Sequence, residues 1–137
     1  MKRKIRAYIC SPYTNGDKID NVNRQLIASN ELLNRGFAPY TPLLTHYQEV
    51  AFPRSEHDWL DLDFNYLVIC DMVIRIRPII DGKELTSNGG DKEEQLANEL
   101  KIPVFTFNTI EEMMCFLDEN IFMLDENDEI KMNDLNI

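Results

Sequence analysis

The chain has 137 residues, 44% hydrophobic and 28% charged, the proportions of one globular domain with a single core. Its net charge of −10 is local: nine Asp and Glu against one Lys follow residue 108, a net of −8, leaving −2 before it. An acidic balance of this kind excludes duplex nucleic acid as a partner, because phosphate contacts need clustered Lys and Arg, and no apolar run approaches the ~20 residues of a membrane span.

The opening "MKRKIRAYIC" has a basic start, a short apolar stretch and no small-residue cleavage site. It reads as the lead into a strand over residues 5–10, not as a signal peptide. "SPYTNG" follows with turn chemistry. From 17 to 35 the apolar residues Ile19, Val22, Leu26 and Leu33, with Ser29 between them, keep a 3,4,3,4 spacing, one helical face stopped by Gly36. "FAPYTP" reads as a second strand and residues 43–58 as a long polar loop with room for a helical turn. Trp59, Leu62, Tyr66 and Ile69 mark a helix over 59–70, followed by a strand over 71–76. A loop over 77–90 leads into a helix over 91–101, a strand over 102–107 and a closing helix over 109–117, capped by Thr109 with Glu112 three residues on. Strands alternating with helices predict a flavodoxin/Rossmann-like α/β three-layer sandwich with a mainly parallel sheet of four or five strands. Residues 1–117 form that domain, and 118–137 an acidic tail, either a hairpin around "DEND" or partly disordered.

Cys10, Cys70 and Cys115 are odd in number, widely spaced and flanked by apolar residues, and the chain has two histidines, His46 and His57. No close ligand pair exists, so no metal and no cofactor is expected. The thiols read as reduced and buried, which places the protein in the cytoplasm.

In open parallel sheets ligands bind beyond the carboxyl ends of the strands, where residues 11–16, the stretch from Thr41 and residues 77–90 gather. "TSNGGDKEEQLANEL" is the most suggestive of these stretches. Ser87, Gly89 and Gly90 at a helix start offer free N–H groups and a positive dipole end to a ligand; equally, they describe a flexible loop with a capping serine. Glu93 and Glu94 in the first turn are favoured by the dipole alone, worth ~0.3–1 kcal/mol. Four residues before Ala97, Glu93 points towards the sheet edge, and Glu94 points to solvent.

"YIC" after a first strand, "NRGFAPYTP", "WLDLDFNYLVICDMV" and "SNGGDKEEQLA" together resemble the nucleoside 2-deoxyribosyltransferase superfamily, which includes deoxynucleoside 5′-monophosphate N-glycosidases and small phage and bacterial relatives. The likeness spans residues 5–107, and its most specific part is Ser-x-Gly-x-x-x-Glu-x-x-x-Ala, from Ser87 to Ala97, with Asp71 and Asp63 upstream. The resemblance implies that Glu93 is the nucleophile, Asp63 a proton donor or orienter beside the sugar, and Tyr8 an aromatic that holds the nucleophile. Ser11, Tyr13, Ser87, Gly89 and Gly90 are the implied substrate-binding residues, with Ser87 where the glycosidases bind a 5′-phosphate. It also implies a small-molecule nucleoside or nucleotide partner and a homodimer or higher homo-oligomer. Two departures stand out. The first loop is Ser11-Pro12-Tyr13-Thr14, without the Gly-Ser-x-Arg of the glycosidases, and "FNTIEEM" leaves no loop for a residue that serves a neighbouring subunit.

Breaking an N-glycosidic bond builds positive charge at C1′ and negative charge on the departing base. An ionised carboxylate below C1′ and a proton donor near the base answer both, as do the paired carboxylates of retaining glycosidases, ~5–5.5 Å apart. At a helix N-terminus Glu93 is expected to stay ionised and to form a covalent ribosyl ester. Water then gives hydrolysis and a second base gives transfer. The alternative is a nucleotide-binding or sensing module on the same fold without turnover. Asp71, at the start of a strand, reads as a backbone-binding turn residue before a catalytic one, and His46, Arg77 and Lys83 as solvated loop residues.

Overall fold

The computed structural model describes residues 2–134. Four parallel strands, β1 (Arg6–Cys10), β2 (Ala38–Tyr40), β3 (Met72–Ile76) and β6 (Val104–Phe107), make a sheet in the order β2-β1-β3-β6. Two-stranded ribbons, β4 (Ile79–Ile80) with β5 (Lys83–Glu84) and β7 (Asn120–Leu124) with β8 (Ile130–Asp134), stand apart from it. The helices are α1 (Lys18–Asn34), α2 (His46–Ala51), α3 (Glu56–Leu67), α4 (Asn88–Glu99) and α5 (Ile110–Asp118), with a 3-10 turn at Pro42–Thr45.

Side chains alternate across a strand, so β1 and β3 divide their residues between two cores. Ala7, Ile9, Met72, Ile74 and Ile76 pack with Ala28 and Leu32 of α1 and with Met113 and Leu117 of α5. On the other face Tyr8, Cys10 and Val73 pack with Leu67 of α3 and Ala97 of α4. The result is a three-layer sandwich with a wholly parallel four-stranded main sheet. Among the described residues no helix is long and apolar enough to cross a membrane.

The structure moves several sequence expectations. The buried face of α1 is Asn21, Val22, Gln25, Ala28 and Leu32, while Ile19, Leu26 and Leu33 are largely exposed. The periodicity pointed the wrong way because two of the residues facing the protein are amides that hydrogen-bond neighbouring loops. The polar stretch before α3 holds more helix than the single turn it had room for, the 3-10 turn and α2. Ser55 starts α3 early by accepting from Asp58 N–H, and α3 turns Leu60, Asp63 and Leu67 inward while Tyr66 and Ile69 are exposed. The loop over 77–87 contains the β4–β5 ribbon, whose turn puts Asp81 and Gly82 at φ of 51° and 76°, the pair of left-handed residues a tight hairpin needs. Cys10 and Cys70 are buried, but Cys115 is exposed on α5. Residues 120–134 are the β7–β8 hairpin, which packs Phe122, Leu124 and Ile130 on the α1/α5 side; residues 135–137 of the tail lie outside the described residues.

Asp71 closes the amino-terminal edge of the sheet. Its carboxylate accepts from both Arg3 nitrogens at 2.7 and 2.8 Å and from Arg6 N–H at 2.7 Å. Burial pushes this carboxyl up, but the Arg3 guanidinium and the Arg6 N–H outweigh it and hold it below the usual range. A folded pKa below the unfolded value of ~3.9 stabilises the fold above that value, and the contribution is lost as pH falls through the lowered one. Asp71→Ala is therefore expected to cost on the order of 2 kcal/mol at neutral pH and to converge with wild type in acid, as read by urea unfolding at pH 7 and pH 2.5.

Candidate functional site

A parallel sheet in this order reverses direction between β1 and β3, and the crevice beyond their carboxyl ends is where such folds take ligands. The loops at that edge are braced from α1. Asn21 donates to the carbonyls of Tyr13 and Asn15 at 3.0 and 2.7 Å. Gln25 donates to Ser11 Oγ at 2.9 Å and accepts from Leu43 N–H at 3.1 Å. Asn15 reaches across to the Thr86 carbonyl at 2.8 Å. Gly16, at φ 80°, brings the backbone so close to Leu85 that a β-carbon would stand 3.1 Å from its Cδ2.

These loops, with α3 and α4, enclose an open cavity of about 250 Å³. Ser11, Ser87, Gly89, Asp63 and Glu93 line it near the sheet, and Tyr13, His46, Trp59, Glu49, Lys18 and Arg54 surround it further out. Tyr13 Oη lies 2.6 Å from His46 Nδ1, joining the first loop to α2. Glu49 accepts from Arg54 N–H and from the Trp59 indole N–H, and those donors hold its carboxyl below the usual range.

The glycines answer a packing need as well as a site. Ser87 caps α4 by accepting from Gly90 N–H at 2.9 Å, so the helix begins at Asn88 and both glycines lie in its first turn. A β-carbon on Gly90 would sit 3.0 Å from Ser87 Oγ and 3.1 Å from Arg75 Nη2, tight enough that these neighbours would have to give by a few tenths of an ångström. Gly90 is therefore a close-packing residue behind the cavity, with its N–H already bonded, and not an open donor for a ligand. Gly89 does line the cavity.

The earlier helix start also moves the two glutamates into the second turn, leaving Asp91 as the first-turn acid. Glu93 is buried. Glu94 is not freely solvated: its side chain is 29% exposed and lies 3.5 Å from the buried Arg75 guanidinium. The expectation that the dipole keeps Glu93 ionised fails for the same reason. Burial pushes its carboxyl up to about 8; the Tyr8 hydroxyl favours the ionised form, nearby Asp63 opposes it, and Arg75 again favours it. Burial likewise pushes the Asp63 carboxyl up to about 7 against a smaller downward pull from the Tyr40 hydroxyl. In a dry site desolvation outweighs a dipole whose effect fades beyond the first turn.

Tyr8 does not line the cavity but lies beneath it, stacked on Tyr40, which stacks in turn on Tyr66. Burial, then the charges of Glu93 and Asp63, push its phenol well above the usual range, so it is a neutral donor. Among the described residues, the buried side-chain atoms without a hydrogen-bond partner are Tyr8 Oη, Asp63 Oδ1, Arg75 Nη1 and Glu93 Oε2. Unpartnered buried polar atoms are rare in folded proteins, and here they cluster about one cavity floor. Asp71 belongs to the opposite edge. Among the described residues no cluster of His, Cys, Asp and Glu has an arrangement that could hold a metal ion.

Several contributors escaped the sequence reading. Gln25 and Asn21 were hidden because amides on a helix face weaken the apolar period they belong to. Arg75 had a visible signal, a lone charge inside "MVIRI". The Trp59–Glu49 pair depends on a loop fold that no local pattern encodes.

Glu93 sets a pH dependence of stability. The folded state keeps a proton that the unfolded chain gives up near ~4.3, so stability falls as pH rises from there through about 8. Glu93→Gln is expected to match wild type near pH 5 and to exceed it by roughly 2 kcal/mol or more near pH 9, each pKa unit being worth ~1.4 kcal/mol. Urea unfolding at the two pH values measures this, and a difference independent of pH would contradict the burial cost assigned to Glu93.

No protein-family model and no curated protein matches the chain. Among solved structures it is similar to a 2-deoxyribosyltransferase from the psychrotolerant bacterium Bacillus psychrosaccharolyticus, with a TM-score of 0.51 and 21% identity over 75% of this chain and 72% of that one. At that identity the likeness is one of fold: the chain shares the α/β architecture of a nucleoside-processing enzyme.

Proposed function

We propose that this protein cleaves the N-glycosidic bond of a nucleoside or nucleoside 5′-monophosphate. The observation that carries the reading is the pair of carboxylates lining one open cavity, Glu93 buried and Asp63 partly buried, each with a buried oxygen that has no partner. The Glu93 oxygen attacks C1′ as the bond to the base breaks, its electron pair leaving with the base nitrogen. The base takes its proton from Asp63. Water then adds to C1′ as the Glu93 ester breaks, and the proton it sheds returns to Asp63; a second base in place of water gives transfer.

The raised carboxyls leave one proton to divide between them, resting mainly on Glu93, the weaker acid, until charge on the substrate moves it. Between about 7 and about 8 the pair holds close to one proton, and positive charge growing on the sugar selects the form with Glu93 ionised and Asp63 protonated. Tyr8 offers its hydroxyl to the carboxylate from below. At the 5′ end, Ser87 still has its hydroxyl hydrogen to donate, and Lys18 at the cavity supplies a cation that the first loop lacks. A 5′-monophosphate is therefore the preferred substrate. The alternative of binding without turnover would leave two carboxylates with unpartnered buried oxygens and no task.

Three outcomes are expected. Across a panel of nucleosides and 5′-nucleotides, wild type releases free base and Glu93→Gln releases none; binding without release in wild type would indicate a sensing module. The kcat/KM profile passes through a maximum between about 7 and about 8. In calorimetric titrations Ser87→Ala weakens nucleotide binding roughly tenfold or more, a bond to a charged group being worth ~1.5–3 kcal/mol, and leaves nucleoside binding nearly unchanged. Equal loss for both ligands would assign Ser87 to capping alone.

A further inference from the structure

Arg75 is a cation in the middle of an apolar strand, and the chemistry above does not use it. It stands opposite Cys10 of β1 and Thr106 of β6, and its side chain is 3% exposed. Nη2 lies 2.6 Å from Asp91 Oδ1, Nη1 lies 3.5 Å from Glu94 Oε1, and Gly90 is bare above it. Packing does not require this residue, since its strand neighbours Val73, Ile74 and Ile76 are all apolar and buried. Stability does not require it either. A guanidinium under a helix N-terminus opposes the positive dipole end, and a buried ion pair contributes little net stability beside an apolar replacement. What no apolar residue could supply is a fixed positive charge against the helix that carries Glu93, paired with its Asp91 and Glu94.

We propose that Arg75 is a positioning residue that clamps the first two turns of α4 through Asp91 and Glu94 and so holds the Glu93 side chain at the cavity floor. Its catalytic consequence rests on the reading of Glu93 as nucleophile; the electrostatic coupling itself does not. The groups around Glu93 fall into three kinds. Tyr8 of β1, Cys10 of β1 and Tyr40 of β2 are neutral because burial pushes all three up. Asp63 of α3, with Asp91 and Glu94 on the same helix, oppose its charge. Arg75 of β3 is the cation of the set. Burial works against its own charge, but Asp91 and Glu94 outweigh that, so it stays charged. The fork geometry matters as well, because a lysine at the same place cannot grip two carboxylates from one plane. The two acids on α4 then have a role other than solvation: they fasten the helix to the sheet by one shared guanidinium.

The test needs no turnover. Unfolding free energies of wild type and Glu93→Gln are compared at pH 5 and pH 9, alone and in an Arg75→Met background. The gain from Glu93→Gln between the two pH values should be larger in the Arg75→Met background, by the equivalent of at least a tenfold change in the Glu93 ionisation equilibrium. An equal gain in both backgrounds would overturn the proposal. If Arg75→Met does not fold, Asp91→Asn, at a carboxylate 62% exposed, releases the guanidinium from its nearest partner. It should move the Glu93 transition to lower pH in the same measurement, and no movement would overturn the proposal as well. Where base release is present, Arg75→Met should shift the kcat/KM profile upward by about one pH unit and lower kcat more than it raises KM. Arg75→Lys should restore the profile but only part of kcat. Coupling without base release in wild type would defeat the glycosidic reading and leave the positioning role standing; base release without coupling would do the reverse.

Discussion

The cost of keeping Glu93 out of water governs the architecture around it. A carboxylate buried without full hydrogen bonding either takes up a proton or must be held in place by its surroundings. Here the surroundings do part of the work and leave the rest undone. Ser87 and Gly90 determine where α4 starts, Arg75 determines how its first turns sit on β3, and Tyr8 presents a neutral hydroxyl from below. None of them fully satisfies the carboxylate, whose Oε2 has no partner. A structure built only for stability would have filled that place with a residue such as Ala97, one turn further along and wholly buried.

The two edges of the sheet show the same side-chain type under opposite conditions. Asp71, at the amino-terminal edge, collects three donors and is held below the usual carboxylate range. Asp63, near the carboxyl-terminal edge, has an oxygen with no partner and is raised to about 7. Both belong to the motif set that carried the family resemblance, and their environments separate them: a satisfied carboxylate fastens β1 and β3 together, whereas an unsatisfied one retains the capacity to exchange a proton with a ligand.

The layer structure was legible because its signals are local. The strands β1, β3 and β6 are short apolar runs, Gly36 stops α1, and Thr109 caps α5, so each element could be recognised within its own residues. The misplaced features depend on distant partners. Ile19, Leu26 and Leu33 look like a core stripe until Asn21 and Gln25 find loop carbonyls, a hydroxyl and a backbone N–H six to eighteen residues away. Glu93 lies one helical turn later than a helix over 91–101 would put it, because the capping serine that "SNGG" allows does cap Gly90 and starts the helix at Asn88. The same offset made the dipole seem decisive for its charge. Glu94 was read as solvated because its partner, Arg75, lies in another element.

The proton balance links these errors to the site. In the first turn Glu93 would be an ordinary ionised acid, and Asp63 alone would need an unusual environment. In the second turn, with Glu93 buried, both carboxyls are raised and they compete for protons within one cavity. Such a pair does not need one permanently acidic and one permanently basic member. It needs a bias that appears when charge develops on a ligand, together with a fixed field that keeps the nucleophile within reach of ionisation. A sugar becoming positive at C1′ supplies the first. The buried guanidinium of Arg75, partly neutralised by Asp91 and Glu94 so that it does not ionise Glu93 outright, supplies the second.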